Sequence, residues 1–314
     1  MKSLNGNFTL VPANTLLDRE SFSGRSDADF LDTTLRDGSC KEAPFVLLGI
    51  AEAIGPIANY GRSGAQHAFE AFLSFFRRLP NQPLPLTFLG CIEYLGSENL
   101  SPLEASERVL ELDEFVYAVL TQNLSNQQIP LVIGGGHNNA LPLLRWAKAT
   151  YGVGKAVNID AHSDCRPIQY RHSGNSFSTA IDEGALEQYT VLGLHRYSLS
   201  SSMENYMKGQ SIHYTFYEDY LLDHRSLNVD FQQAIEGERI GLEIDVDSIA
   251  NMPSSAKSPS GWRLDDLRGL LLGVKPFNVA YLHLTEAAPT NSEEERIVGK
   301  ALSYLCLDFL YTTE

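Results

Sequence analysis

The chain has 314 residues, 43% of them hydrophobic, enough for one large α/β domain or two ordinary ones with a sizeable buried core. Its formal charge of −15 excludes nonspecific binding to nucleic acid or to an anionic membrane, both of which call for a basic face, but leaves room for a pocket made locally positive by a few arginines. Cys40, Cys91, Cys165 and Cys306 form no Cys-x-x-Cys pair, the amino terminus is too polar for a signal peptide and no run reaches the ~18 apolar residues of a membrane span, so a soluble, cytoplasmic protein without a disulfide framework is expected.

Residues 1–42 are largely polar, with Ser21, Ser23, Ser26, Asp27 and Asp29 close together, and are expected to form an irregular arm packed on a single domain spanning 43–314. The first strand, Phe45–Ile50, is continuously apolar, as expected where both faces are covered. A Gly-punctuated loop, 55–64, follows and could border a binding site; a Phe-rich helix then runs from Ala65 to Arg78. Leu86–Leu89 is a short strand. Ser101-Pro102-Leu103-Glu104 combines a capping box with Pro at the first helical position and starts a helix towards Leu120.

Strand Pro130–Ile133, helix Asn139–Thr150 and strand Ala156–Ile159 read as a βαβ unit whose two strand ends should lie side by side. Arg166–Asp182 lacks apolar periodicity and reads as loop. Strand Tyr189–Leu194, helix Ser200–Met207, a helix closing at 231–236 and strand Ile240–Asp247 follow. After a loop, 254–261, come helix Leu264–Leu272, strand Phe277–Leu284 and a last helix capped by Asn291 or Ser292 and running to about Leu310. This alternation predicts an α/β/α sandwich around a mainly parallel sheet and leaves the strand order open.

Polar side chains cluster where these strands end. Residues two apart in an extended segment project to one side, so Asp245 and Asp247 should face together, and the same holds for Asp160, His162 and Asp164. His137, after Gly134-Gly135-Gly136, completes six oxygen and nitrogen donors at three strand ends. Burying them would be costly without compensating positive charge. One ion would have trouble using four carboxylates and two imidazoles, whereas two ions sharing Asp160 and Asp245 account for the set. The lack of Cys ligands favours Mn over the softer-ligand sites used for zinc or copper, with Mg, Fe, Co or Ni as less favoured alternatives. Two such ions lower the pKa of water between them, which implies hydrolytic attack on an electrophilic carbon.

Other readings of these residues are aspartates that merely cap turns, a non-catalytic metal-binding protein, and an Asp-x-Asp glycosyltransferase holding one ion. Cys165, beside Asp164, offers a thiol nucleophile for an amidine carbon, although its acidic and imidazole neighbours are better used as ligands. The glycines lack the Lys-Ser/Thr of a phosphate-binding loop, so nucleotide binding is poorly supported, and they suit a tight turn that brings His137 inward.

Gly134-Gly135-Gly136-His137, Asp160-Ala161-His162-Ser163-Asp164 and Asp245-Val246-Asp247, in that order, resemble the arginase, agmatinase and formimidoylglutamase superfamily of ureohydrolases over about residues 45–311. The resemblance implies a three-layer α/β/α fold, two Mn2+ per chain, hydrolysis of a C–N bond in a small amidine or guanidine substrate, and a homo-oligomer, trimer or hexamer. It assigns His137 and Asp164 to one ion, His162 and Asp247 to the other, and Asp160 and Asp245 to both. Glu286, in Thr285-Glu286-Ala287-Ala288-Pro289, matches the family glutamate that meets the substrate cation and orients its C=N group.

Gly136 stands where arginases carry Asp, Phe177 where they carry His after Ser-Gly-Asn, and the segment 248–253 replaces their usual Asp-Pro. These departures, with Arg166 after Asp164-Cys165, look more like formimidoylglutamase. The expected reaction is then hydrolysis of N-formimidoyl-L-glutamate to L-glutamate and formamide, a step in histidine breakdown, with agmatine, guanidinobutyrate or arginine as alternative substrates. Two substrate carboxylates would suit Arg166, Arg171 or Arg196 as clamps, with Asn59, Arg62 and Asn175 as further contacts. Asp160 or Asp245 would relay the proton, and His172 is a further candidate donor.

Overall fold

Strands and helices alternate along the computed structural model, which describes residues 1–19, 30–37, 43–82, 84–97, 99–222 and 225–311. The polar cluster from Ser21 to Asp29 and Cys40 lie outside the described residues. The strands are β1 (Phe8–Pro12), β2 (Phe45–Ala51), β3 (Leu86–Tyr94), β4 (Ile129–Ile133), β5 (Lys155–Ile159), β6 (Gln188–Leu194), β7 (His213–Phe216), β8 (Ile240–Asp245) and β9 (Val279–Thr285). The helices are α1 (Ala13–Arg19), α2 (Leu31–Asp37), α3 (Ile54–Ala58), α4 (Ala68–Phe76), α5 (Pro102–Asn123), α6 (Ala140–Tyr151), α7 (Ser176–Asp182), α8 (Ser201–Gly209), α9 (Tyr217–Leu222), α10 (Leu227–Ile235), α11 (Leu264–Leu272) and α12 (Ser292–Leu310).

The sheet order is β1-β3-β2-β4-β9-β8-β5-β6-β7, with only β1 antiparallel to its neighbour. The unbroken apolar run of β2 feeds both faces: Phe45 and Leu47 join one buried cluster, Leu48 and Ile50 the other. The first cluster packs α4, α11 and α12 on the sheet through Phe72, Leu267 and Leu302. The second packs α5, α6 and α7 through Val116, Trp146 and Phe177. The result is the expected three-layer α/β/α sandwich. No helix among the described residues is long and apolar enough to cross a membrane.

Several local expectations need correction. The amino-terminal segment is not irregular throughout: β1 pairs with β3, and Arg77 at the end of α4 donates to Asp32 of α2 at 2.7 Å. The loop at 55–64 begins as helix α3, and the segment 166–182 ends in a short 3-10 turn and α7, both too short for periodicity to reveal. β3 runs on past Leu89 to Tyr94, and β7 and α9 are elements the sequence reading left out. Most consequentially, β4 and β5 are not neighbours, because β9 and β8 lie between them. A βαβ reading assumes that consecutive strands pair, and here two late strands fill the gap.

Packing of α12 on α4 depends on one close approach. A Cβ on Gly299 would lie 2.3 Å from the carbonyl oxygen of Ala71, a backbone atom that cannot swing aside. Gly299→Ala should therefore lower unfolding free energy by about 1–3 kcal/mol in denaturant titration. Metal stoichiometry should not change, since α4 and α12 stand apart from the strand ends that carry the acidic side chains.

Candidate metal centre

The carboxyl ends of β4, β9, β8 and β5, four neighbours at the middle of the sheet, converge around a cavity of about 190 Å³. His137 follows β4, Glu286 follows β9, Asp245 and Asp247 come from the end of β8, and Asp160, His162 and Asp164 follow β5. All six donors singled out in the sequence are thus brought to one place, with Glu286 beside them.

The local geometry differs from the alternation expected of extended chain. β8 ends at Asp245, and residues 246–248 form a single 3-10 turn that Asp245 caps, its Oδ1 accepting the Asp247 N–H at 2.8 Å. Asp160 Oδ1 accepts the His162 N–H in the same way at 2.7 Å. Each leading aspartate therefore folds the turn that returns the second side chain to its own side. Turn capping and metal ligation, set against each other as alternatives, are compatible in one carboxylate. Asp164 and Glu286 have φ of 47° and 65°, in the left-handed region that non-glycine residues enter at a cost of about 1–3 kcal/mol.

Ligand atoms of His137, Asp160, Asp164 and Asp245 lie within 4.8 Å of one another, as do those of Asp160, His162 and Asp247. His137 Nδ1 is 2.9 Å from Asp164 Oδ2 and 3.2 Å from Asp245 Oδ2; His162 Nδ1 is 3.0 Å from Asp247 Oδ2. Burial pushes the Asp164 and Asp245 carboxyls up, reinforced by neighbouring aspartates, while Asp247 holds the His162 imidazole well above its usual range. Both ring nitrogens of His137 and Oδ1 of Asp247 are buried without a hydrogen-bond partner. Leaving such atoms unpaired is costly. An all-oxygen-and-imidazole set of this kind fits hard divalent cations.

Glu286 faces the same cavity. Its Oε1 accepts the His137 N–H at 2.8 Å and its Oε2 accepts from Ser255 Oγ at 3.0 Å, while burial pushes the carboxyl up to about 7. Of the substrate-side candidates, Asn59 and Arg166 line the cavity, Arg166 donating to Asn59 Oδ1 at 3.0 Å. The others are engaged elsewhere. Arg171 is buried, forks onto both oxygens of Asp113 at 2.9 and 3.1 Å, and also donates to Asn175 and the Asn138 carbonyl. Asn175 braces that loop by donating to the Tyr170 carbonyl, Arg62 donates to the Ser254 carbonyl, and Arg196 pairs with Asp219 over the ring of Phe216.

His172 is a poor proton donor, because burial and the Arg166 and Arg171 charges lower its pKa to about 4 and its Nδ1 accepts the Gly174 N–H. Cys165 is no better as a nucleophile: burial, then the Asp164 and Asp160 charges, push its thiol well above the ordinary range. Phe177 stacks on Tyr189 at 4.2 Å in the core.

The sequence reading missed the groups behind the site. Glu52 is buried and accepts from the Gly136 N–H at 2.8 Å and from Asn139 at 2.7 Å, tying down the glycine turn before His137. Glu243 and His283 sit fully buried within apolar strands, 2.7 Å apart. A polar residue inside an otherwise apolar strand is the signal that could have found Glu243 and His283, whereas Glu52 stands just past the end of β2, where an apolar run stops.

A family model described as the arginase family matches residues 44–311. A curated formimidoylglutamase of Staphylococcus aureus (strain bovine RF122 / ET3-1) is 28% identical over 214 residues, which is 67% of this chain and 65% of the relative's own length. Crystal structures of Trypanosoma cruzi formiminoglutamase with Mn2+ (22% identity, TM-score 0.73, 91% of this chain and 100% of that one) and Bacillus subtilis formimidoylglutamase (17%, 0.71, 93% and 93%) share the fold. So does the proclavaminate amidino hydrolase of Streptomyces clavuligerus (18%, 0.66, 85% and 92%).

Arg171 and Asp113 form a buried pair, so removing one partner strands the other. Arg171→Met should cost about 3–5 kcal/mol in unfolding free energy. A substrate clamp at Arg171 would give the opposite pattern, unchanged stability with a raised KM.

Proposed function

The chain belongs to the arginase family, and on that premise we propose that it is a binuclear-manganese hydrolase cleaving N-formimidoyl-L-glutamate to L-glutamate and formamide. The observation that carries this reading is the meeting of the two ligand groups, joined through Asp160, at a cavity lined by both Glu286 and Arg166. His137, Asp160, His162, Asp164, Asp245 and Asp247 would hold two Mn2+ ions, which would supply Lewis acidity and lower the pKa of water.

The chain's own residues then divide the remaining work. Glu286, fixed by the His137 N–H and Ser255, pairs with the amidinium and turns its carbon towards the aspartates. Arg166, the one Lys or Arg among the described residues lining the cavity, takes a substrate carboxylate while Asn59 keeps its guanidinium in place. Ser173 lines the same cavity, and its hydroxyl, which accepts from Asn59, offers a donor to the second carboxylate. Asp160 or Asp245 carries the proton from water to the nitrogen that departs with glutamate.

Packing also bears on the choice of substrate. A Cβ on Gly136 would lie 2.4 Å from Pro56 Cδ and 2.5 Å from Asn138 Oδ1, so the Asp that arginases carry has no room here. Phe177 is wholly buried, so no polar side chain reaches the cavity from that position.

The test is a product panel. The Mn-loaded chain, holding about two ions, should release formamide from formimidoylglutamate, and chelation should abolish activity that Mn restores. Urea from arginine, agmatine or guanidinobutyrate, with no formamide from formimidoylglutamate, would sink the proposal. Cys165→Ala should remain active. Arg166→Met should raise KM by roughly 10–100-fold with little change in kcat, the loss expected for one charge-assisted contact.

A further inference from the structure

Behind His137, on the side away from the cavity, lies a buried polar cluster to which the proposed reaction assigns no part. Gly241, Glu243 and Asp245 alternate along one face of β8. Glu243 is opposite His283 of β9 in register, and Gly241 is opposite Tyr281. A Cβ on Gly241 would lie 2.6 Å from the Tyr281 ring, so glycine is what lets that ring lie across β8. From there the Tyr281 hydroxyl donates to Glu243 Oε1 at 2.8 Å, while His283 Nδ1 lies 2.7 Å from Glu243 Oε2. The carboxylate is clamped at both oxygens.

Glu243 Oε2 is also 3.4 Å from Nε2 of His137, a charge contact that stops short of a hydrogen bond and leaves this buried nitrogen unpartnered, while Nδ1 of the same ring faces Asp160, Asp164 and Asp245. His137, Glu243 and His283 could be mistaken for a further metal site. The direct 2.7 Å contact between His283 and Glu243 argues against an ion there, since it is a hydrogen bond in its own right. An ionised carboxylate only accepts, so the proton in that contact is on His283 Nδ1.

We infer that Glu243 is a positioning residue for His137: clamped by Tyr281 and His283, it is the acceptor that faces the unpartnered Nε2, and so favours the tautomer and ring angle that present Nδ1 as a metal donor. A metal-binding histidine gains both orientation and basicity from such a partner, whose loss typically weakens metal affinity 10–100-fold. His162, half-exposed at the cavity, has no buried carboxylate of this kind among the described residues. The effect should therefore fall on one ion of the pair.

This inference rests on the two-manganese reading of the site, and one experiment separates the two. Mn2+ is titrated into the full-length protein, with free ion followed by electron paramagnetic resonance, for wild type, Glu243→Gln, His137→Asn and the double variant. We expect Glu243→Gln to weaken one ion by about 10–100-fold, to leave the other unchanged, and to add little to the loss caused by His137→Asn. Equal weakening of both ions, unchanged affinities, or fully additive losses would each overturn the inference. Wild type that binds no Mn2+ would overturn the underlying reading instead. If Glu243→Gln does not fold, Tyr281→Phe, which frees only Oε1 of the carboxylate, enters the same cycle with a severalfold loss at the same ion expected and the same overturning outcomes.

Discussion

The site is governed by a surplus of negative charge held away from water. Asp160, Asp164, Asp245, Asp247 and Glu286 crowd the ends of the central strands, and among the described residues the first four find no cationic partner but His137 and His162. Burying that charge uncompensated would cost more than most domains have in total stability. The arrangement invites positive charge among the carboxylates, and the surroundings hold the donors ready for it. Strained φ angles at Asp164 and Glu286, the glycine turn held by Glu52, and the self-capped turns of Asp160 and Asp245 all fix donors in place.

The sheet order explains how one short cavity gathers residues from across the chain. His137 and Asp160 are close in sequence, yet their strands are separated by β9 and β8, which come much later in the chain, from Ile240 onward. Those inserted strands are what place Asp245 and Glu286 between the two earlier ends. Neither half has a complete ligand set without the other, so the site depends on the central pairing of β4 with β9 and of β8 with β5.

The six metal-side donors were legible because chemistry and position coincide in sequence: each lies where an apolar run stops. The parallel sheet and the three layers were legible from continuous apolar strands such as β2. Less was visible where a residue's role is set by a distant partner. Arg171 reads as a free cation in a polar stretch, and only the fold reveals that Asp113, on α5, already occupies it. Glu243 and His283 hide inside strands that read as core, and their meaning depends on which strands are neighbours. α7 escaped because seven residues hold too little of a helical period, and Asp247 reached the predicted side by a turn rather than by strand alternation.

The capped turns carry a consequence in lone pairs. A carboxylate has about four acceptor positions, two on each oxygen. Asp160 already uses one on Oδ1 for the His162 N–H and one on Oδ2 for Asn158 Nδ2, at 2.9 Å. It therefore enters any further interaction with a single free position on each oxygen, and with its plane fixed by donors two residues before and two residues after it. A carboxylate so restricted presents its two remaining lone pairs in fixed directions and cannot swing freely. The amide of Asn158 and the backbone of His162 thereby aim a carboxylate at partners that neither of them touches.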